Sequence, residues 1–460
     1  MSAKHNFADL KFRIECSQIV LTHAGRAGLV VRGPGEIWQD EGGTLQFKIF
    51  TNPTGYRGLQ EYARRPHVVG QLIPEDEFFD LEAHEYDMRR WTARRIIPFY
   101  RGGVQEGLAY GSLPELILTE ATPANRKHDF VLLRFRGKLE FPCNQQAQAE
   151  IRFDGQLRTA SSLNAASIED GDYRFQVLHE GEHTLVSLQL PAGQLTSATP
   201  YRIHEALQFV LGQQLALMVI ETSADGQRVT RLTSPSRGCG KMSPPLQVQC
   251  LDEAGHVWRM FTNYFRHVHQ NSEPGWHPVS RHVGSAIEST AASFEAMVLA
   301  LAVAVEGLAG ECFPSLAPVD PAFLGELDSV QKALRGIELT EATRKRIDGS
   351  LNAMQRPRNS DVLRAFLNAH RLPVGLYDSW SRLRHTSAHG GGAGNRDVET
   401  NLRLKNEVLS LLYSLVFAAI NYSGPRRDYS QPGWPTQPWP IPLPPAPAAP
   451  PAGPPPPGTN

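Results

Sequence analysis

Residues 383–392 read LRHTSAHGGG and place several charged or ionisable side chains close together in the chain. Arg384 and His385 are adjacent, and His389 follows four residues after His385. Histidine titrates at about pH 6.5, so it can take up or release a proton under neutral conditions. Arginine keeps its charge and presents a planar fork of N–H donors that matches two oxygens of a phosphate. These residue types could hold a phosphate and move a proton beside it.

Two other interpretations of the same residues stay open. His385 and His389 lie four positions apart on one face of a helix, which is a spacing that a metal ion can use. The residues between them include no carboxylate, and no third ligand is identifiable in the sequence. Alternatively, the basic side chains of Arg384, His385 and His389 complement the negative end of a helix dipole, and Gly390 ends that helix in a left-handed conformation.

A long apolar helix is predicted after this segment, and the combination resembles the HEPN superfamily of ribonucleases. The β-rich first half of the chain, followed by a helical bundle, further resembles the Apea-like HEPN branch, whose members include bacterial anti-phage proteins. The resemblance is specific at one motif, R-[N/H/D]-x-x-x-H-G, and elsewhere in residues 284–423 it rests on the number and order of helices. The motif is matched by Arg384, His385, Thr386, Ser387, Ala388, His389 and Gly390.

The resemblance implies a metal-independent endoribonuclease that needs no cofactor and has a part in abortive infection. RNA carries its own nucleophile, the 2′-hydroxyl group, so cleavage requires a proton acceptor and stabilisation of a negatively charged transition state. By resemblance and by this chemistry, His389 is the general acid or base, Arg384 clamps the transition state and His385 supports them.

The spacing of Arg384 and His389 predicts a dimer. Residues five positions apart on an ideal helix point about 140° away from each other, so the two side chains need not meet within one protomer. Members of the superfamily resembled are typically dimers whose motifs meet across the interface. We therefore expect RNA as substrate and a homodimer formed through the helical domain.

Charges near the motif give local support for an RNA partner. Between residues 341 and 384, nine lysines and arginines outnumber four acidic residues, which is a footprint that an RNA backbone would fit. The same side chains could equally solvate the outer faces of bundle helices. Glu295 and Glu306 interrupt the most apolar predicted helix, and either could support the site residues or simply form a polar face.

The periodicity of apolar residues predicts an α+β chain with four parts. Residues 1–260 have the β-branched runs and turn residues of a sandwich or curved sheet, with one helix near Ile203 to Leu211. This β-rich domain would sense a trigger or position the substrate. Residues 261–283 read as a linker, residues 284–423 as a HEPN-like helical domain, and residues 424–460 as a proline-rich disordered tail.

Composition excludes several classes of protein. Lysine plus arginine number 46 against 47 acidic residues, so no global charge draws the chain to nucleic acid or to membranes. The first residues lack the apolar core of a signal peptide, and the longest apolar runs are about half of the roughly 20 residues that a bilayer requires. The cysteines are odd in number and form no CxxC pair, namely Cys16, Cys143, Cys239, Cys250 and Cys312. These features predict a cytoplasmic location without membrane contact.

Three functional hypotheses result: the endoribonuclease, a non-catalytic HEPN-like module that binds RNA or protein, and a metal-dependent hydrolase. The third would use His385 and His389, or the histidines between residues 267 and 282. If residues 267–269 form a strand, their two histidines share one face, as metal ligands often do. The histidines of this second group are His267, His269, His277 and His282.

Overall fold

The structure is a computed structural model of the chain. It describes residues 11–26, 28–51, 59, 62, 72–102, 107–122, 127–153, 156–234, 240–247, 254–271, 273, 275–388 and 398–441, without the side chains of residues 146–163 and 386–388. The chain divides into two compact units, Met1–Ala304 and Val305–Asn460. This division lies further along the chain than the boundary near residue 284 that the sequence predicts.

The N-terminal unit contains an antiparallel sheet of 15 strands. Its spatial order is β10-β11-β12-β13-β9-β14-β15-β8-β5-β4-β1-β2-β3-β7-β6. The strands are β1 (Arg13–His23), β2 (Val30–Gln39), β3 (Leu45–Thr51), β4 (Phe79–Glu85), β5 (Arg90–Ile96), β6 (Phe99–Gly102), β7 (Gly107–Leu113), β8 (Glu115–Ala121), β9 (His128–Arg136), β10 (Gln145–Phe153), β11 (Gln156–Asp170), β12 (Tyr173–Glu180), β13 (His183–Pro191), β14 (Leu217–Ala224) and β15 (Gln227–Thr233). The predicted β-rich first half is confirmed.

Alternation of apolar and polar residues places one face of these strands in a core. In β3, Leu45, Phe47 and Ile49 are fully buried, while the intervening residues are less buried, as a period of two requires. Trp91 of β5 is buried in the same core, and its indole N–H donates to Glu85 Oε1 at 2.5 Å. The strands β5 and β8 pair at two positions, so their ladder is the shortest described in this sheet.

The described part of the N-terminal unit also contains the helices α1 (Thr199–Leu211), α2 (Ala254–His269) and α3 (Pro278–Ser289), a 3₁₀ turn at Glu75–Glu77, and the first part of the helix that begins at Phe294. The helix predicted near Ile203 to Leu211 is confirmed as α1. The structure corrects the predicted linker at residues 261–283, most of which lies in α2 and α3. The physical reason is an apolar face on α2, where Phe261, Phe265 and Val268 are buried at helical spacing.

Helices dominate the end of the chain, as the sequence predicts. They are α4 (Phe294–Cys312), α5 (Pro321–Arg335), α6 (Glu341–Met354), α7 (Asn359–His370), α8 (Gly375–Ala388) and α9 (Val398–Ala419), with a short 3₁₀ turn at Pro314–Leu316. The α+β fold class is therefore confirmed. The two helices that the sequence predicts to be most apolar supply buried side chains, among them Val305 and Leu308 of α4 and Leu404, Val408 and Leu412 of α9.

The structure also corrects the start of the predicted disordered tail. Residues 424–439 form a hairpin of β16 (Gly424–Arg427) and β17 (Thr436–Trp439). Trp439 is 4% exposed, and its ring lies 5.3 Å from the ring of His370 and 5.3 Å from the guanidinium of Arg426. Proline content alone pointed to disorder, but the aromatic and arginine side chains bury enough surface to fold this segment onto the helices. Residues 442–460 lie outside the described residues.

Two expectations from composition can be compared with the described residues. Cys16, Cys143 and Cys312 are free thiols, and burial raises the pKa of Cys16 to about 12 and that of Cys312 to about 11. Cys239 and Cys250 fall outside the described residues. None of the described helices has an apolar stretch long enough to cross a membrane.

We expect Trp439→Ala to lower the free energy of unfolding of the C-terminal unit by about 3 kcal/mol, because truncating a buried tryptophan leaves a cavity. Trp434 of the same hairpin is 42% exposed, so Trp434→Ala should cost less than about 1 kcal/mol. Urea unfolding of both variants measures the difference. Equal losses would mean that the hairpin does not pack through Trp439.

A half-buried histidine makes the stability of the N-terminal unit depend on pH. Burial, with smaller effects of His267 and Arg202, lowers the pKa of His277 to about 4. As the pH falls, the unfolded chain therefore takes up this proton before the folded chain does. The free energy of unfolding keeps its full value above about pH 6.5 and decreases as the pH falls toward 4, by up to about 1.4 kcal/mol per pH unit.

His277→Asn should remove this part of the acid sensitivity while keeping the helix cap. The Nδ1 atom of His277 accepts from the backbone N–H of Val279 at 3.2 Å, and an asparagine oxygen can do the same. Thermal unfolding across pH 4 to 7 should show a flatter profile for His277→Asn, whereas His128→Asn, at an exposed histidine, should leave the profile unchanged. An unchanged slope in His277→Asn would contradict the assignment.

Candidate functional site

A groove of about 860 Å³ in the C-terminal unit contains two of the three predicted catalytic residues, Arg384 and His385. Its walls come from the end of α4, the turn that follows it, the start of α7 and one face of α8. The lining residues that carry the argument below are Glu306, Gly310, Arg356, Arg358, Asn359 and Trp380.

Helical spacing on α8 turns the site residues toward the groove. Tyr377, Trp380, Ser381, Arg384 and His385 recur at intervals of three and four positions and line it together. The other face of α8 is anchored by buried side chains, including Leu376, Ser379 and Leu383. The amphipathic pattern of α8 therefore decides which side chains reach the groove.

A bidentate ion pair fixes the orientation of Arg384. Its Nη2 atom donates to Glu306 Oε1 at 3.0 Å, and its Nε atom donates to Glu306 Oε2. The hydrogen bonds that Arg384 donates to Glu306 raise the pKa of Arg384, so the guanidinium stays charged. The Arg384 side chain is still 39% exposed, and three of the five guanidinium N–H groups lie outside this pair. Arg384 is thus held in place with donors left for a ligand.

The opposite wall of the groove adds positive charge at the start of α7. Arg356 and Arg358 are exposed and line the groove. Arg358 occupies the N-cap position of α7, and no side chain caps that helix end. The first backbone N–H groups of a helix have no partner within it and attract anions, so the helix end reinforces the two arginines.

Gly310 allows α4 to approach this helix end. A Cβ atom at Gly310 would lie 2.6 Å from the side-chain oxygen of Asn359, which is closer than van der Waals contact allows. A larger residue would force the Asn359 side chain out of its position beside the groove. Gly310, Asn359 and Trp380 were not foreseen from the sequence; a glycine inside an otherwise apolar helix was the one available signal.

The structure describes some of the predicted site residues and not others. Arg384 and His385 line one groove, and Glu306, which the sequence left open as a support of the site or as part of a polar face, forms an ion pair with Arg384. Glu295 is exposed near the start of α4. His389 and Gly390 lie outside the described residues, so the structure does not place the third catalytic residue.

The prediction of a metal site at residues 267–282 assumed a strand at residues 267–269, and that assumption is wrong. His267 and His269 lie in α2, where residues two positions apart point to different sides. The ring of His269 stacks on Phe265 at 4.8 Å, and the ring of His267 lies 5.2 Å from that of His277. Within the described ranges, no three histidine, cysteine or acidic side chains cluster as a metal site would require.

Comparisons of this chain with protein-family models, with curated proteins and with solved structures give no match. The resemblance to HEPN ribonucleases therefore rests on the sequence motif and on the number and order of helices. The function has to be argued from the groove and its side chains.

Replacing Glu306 by glutamine tests whether RNA phosphates bind beside Arg384 in this groove. Glu306→Gln removes a negative charge beside the expected phosphate position, so affinity for a single-stranded RNA oligomer should rise about two- to fivefold at low salt. Fluorescence anisotropy measures this change. The matched control is Glu407→Gln, because Glu407 binds Arg403 and Ser379 of the same unit without lining the groove. Unchanged binding of Glu306→Gln would show that the phosphates lie elsewhere, whereas weaker binding would show that the orientation of Arg384 matters more to affinity than the charge of Glu306.

Proposed function

We propose that this protein is a metal-independent endoribonuclease of the HEPN type. The observation that carries the proposal is the position of Arg384, which is held by Glu306 in a groove that Arg356, Arg358 and His385 also line. A groove with these three arginines and one carboxylate favours a polyanion, although the whole chain has a net charge of −1. RNA is a polyanion that can also supply its own nucleophile.

The chemistry requires a base, an acid and a fixed positive charge. The 2′-oxygen attacks the adjacent phosphorus and loses its proton to His389, while the bond from phosphorus to the 5′-oxygen breaks and that oxygen takes up a proton. The products are a 2′,3′-cyclic phosphate and a 5′-hydroxyl end. The free donors of Arg384 bind the phosphate oxygens as negative charge develops on them. Glu306 positions Arg384 and does not touch the reacting atoms.

Two protein chains would complete such a site. The reaction needs one group that accepts a proton and another that donates one, and each chain brings a single His389. A homodimer through the helical domain would bring two copies of Arg384 and His389 to one phosphate. His385, which is exposed in the groove, supports the motif of its own chain.

The proposal extends to the biological setting that the resemblance implies. The β-rich unit would position substrate or sense a trigger, and uncontrolled cutting of cellular RNA would serve abortive infection in the cytoplasm. The alternative function is a module that keeps the groove for binding RNA or a partner protein without cutting it. The groove charges favour RNA binding under both functions, so the cleavage assay decides between them.

Purified wild-type protein should cut single-stranded RNA in EDTA and leave cyclic phosphate ends. Arg384→Ala should reduce the rate about 10²- to 10³-fold, since it removes fixed transition-state stabilisation. His389→Ala should reduce it about 10²- to 10⁴-fold through loss of proton transfer. Gel analysis of the products and chemical typing of their ends provide the measurement.

The matched control is Arg382→Ala, because Arg382 is exposed on α8 but does not line the groove. Its cleavage rate should stay near the wild-type rate. Cleavage by wild type only after metal is added would favour a metal-dependent hydrolase. Tight RNA binding without cleavage, together with equal toxicity of wild type and His389→Ala in cells, would favour the binding module.

A further inference from the structure

The N-terminal unit contains a second cavity of about 540 Å³. It lies between the start of α1, the neighbouring strands β14 and β15, and the segment at Gly275 and Trp276. All of its lining residues belong to the N-terminal unit. The cavity volume lies in the range of about 300 to 1,000 Å³ that is typical of small-molecule sites.

The walls of this cavity suit a flat ring. Ala198, Leu215, Leu217 and Ile220 provide apolar surface. Two large aromatic side chains are exposed although they line the cavity: Trp276 is 49% exposed and Tyr201 is 37% exposed. An aromatic ligand would cover apolar surface that now faces solvent, and ring contacts add favourable interactions beyond area burial.

A buried carboxylate supplies a hydrogen-bond acceptor in this cavity. Glu205 is 3% exposed, and its Oε1 atom accepts from Arg202 Nη1 at 2.6 Å. Its Oε2 atom has no hydrogen-bond partner of normal geometry within the described ranges, although the Ser280 hydroxyl is close enough to the carboxyl group to lower its pKa. Burial raises the pKa of Glu205, against the opposing effects of Ser280 and Arg202. A buried acceptor without a full set of partners is costly, so an N–H donor on a ligand would relieve that cost.

Arg202 makes the position of this acceptor rigid. It is 1% exposed and donates to the backbone oxygens of Asn271, Glu273 and Gly275 at 3.2, 2.9 and 3.0 Å. These bonds tie α1 to the segment that carries Trp276. The acceptor and the aromatic wall are thus held before any ligand arrives, which lowers the cost of binding.

Arg231 of β15 supplies the positive charge. Its side chain lines the cavity, is 34% exposed, and donates to the hydroxyl group of Tyr201 at 3.3 Å. The Oε2 atom of Glu115 lies 3.7 Å from Nη1 of Arg231. Most N–H groups of the Arg231 guanidinium lie outside that contact. An anionic group at this position would form charge-assisted hydrogen bonds.

We propose that this cavity binds a small anionic molecule with a flat ring that carries an N–H donor. The ring lies against Trp276 and Tyr201, the N–H group donates to Glu205, and the anionic group binds Arg231. A free mononucleotide offers this chemistry with a phosphate, and an aromatic amino acid offers it with a carboxylate. The site is separate from the groove at Arg384 and does not depend on the activity proposed there.

Isothermal titration calorimetry of the full chain tests the proposal with two sets of probes, the four ribonucleoside monophosphates and L-tryptophan. Saturable binding of one molecule per chain is expected for at least one probe. Arg231→Gln should weaken that binding about 10- to 100-fold, since it removes a charged hydrogen-bond partner, and Trp276→Ala should weaken it about tenfold. The identity of the probe shows whether phosphate or carboxylate is the anion.

Matched variants guard against misfolding as an explanation. Arg228→Gln changes an arginine of the same strand that does not line the cavity, and it should bind like wild type. Arg231→Lys keeps the charge and should lose less affinity than Arg231→Gln, with circular dichroism confirming that each variant is folded. The proposal is overturned if no probe binds at millimolar concentration, or if binding is insensitive to both Arg231→Gln and Trp276→Ala.

Discussion

The ion pair between Arg384 and Glu306 links α8 to α4 and organises the groove of the C-terminal unit. Its two partners are 78 residues apart in the chain and both remain partly exposed. Exposed ion pairs contribute only about 0 to 1 kcal/mol to stability, so the apolar faces of the helices must hold them together. What the pair contributes is orientation, since a bidentate carboxylate fixes the plane of the guanidinium. A charge whose direction is fixed before substrate arrives needs no reorganisation during reaction.

Backbone proximity at Gly310 is the second constraint on the groove. Because Gly310 has no side chain, α4 can lie against Asn359 at the start of α7. The two arginines before that helix then face the same space as Arg384. A nearly neutral chain thereby concentrates positive charge in one place, which is how local electrostatics can select a polyanion without a large net charge.

The two units use arginine in different ways. In the C-terminal unit, Arg384 remains partly exposed and keeps donors for a ligand. In the N-terminal unit, Arg202 is buried and donates hydrogen bonds to Glu205 and to three backbone oxygens, so its role is structural. Arg426 of the hairpin is also buried and contacts Trp439 and Ser414. Burial and the number of partners therefore distinguish an arginine that positions structure from one that can bind substrate.

The sequence by itself determined the fold class, the positions of most helices and the residue types of the candidate site. Those features follow from local periodicity and from side-chain chemistry, which neighbouring residues already specify. Only the tertiary structure decided the order of the 15 strands, the helices at residues 261–283, the hairpin of Trp439 and the place of Arg356, Arg358 and Gly310 beside Arg384. Each of these depends on contacts between distant segments, such as β9 with β13 and β14. These contacts are stabilised because two distant segments bury their surfaces against each other. A short window of the sequence contains only one of the two surfaces.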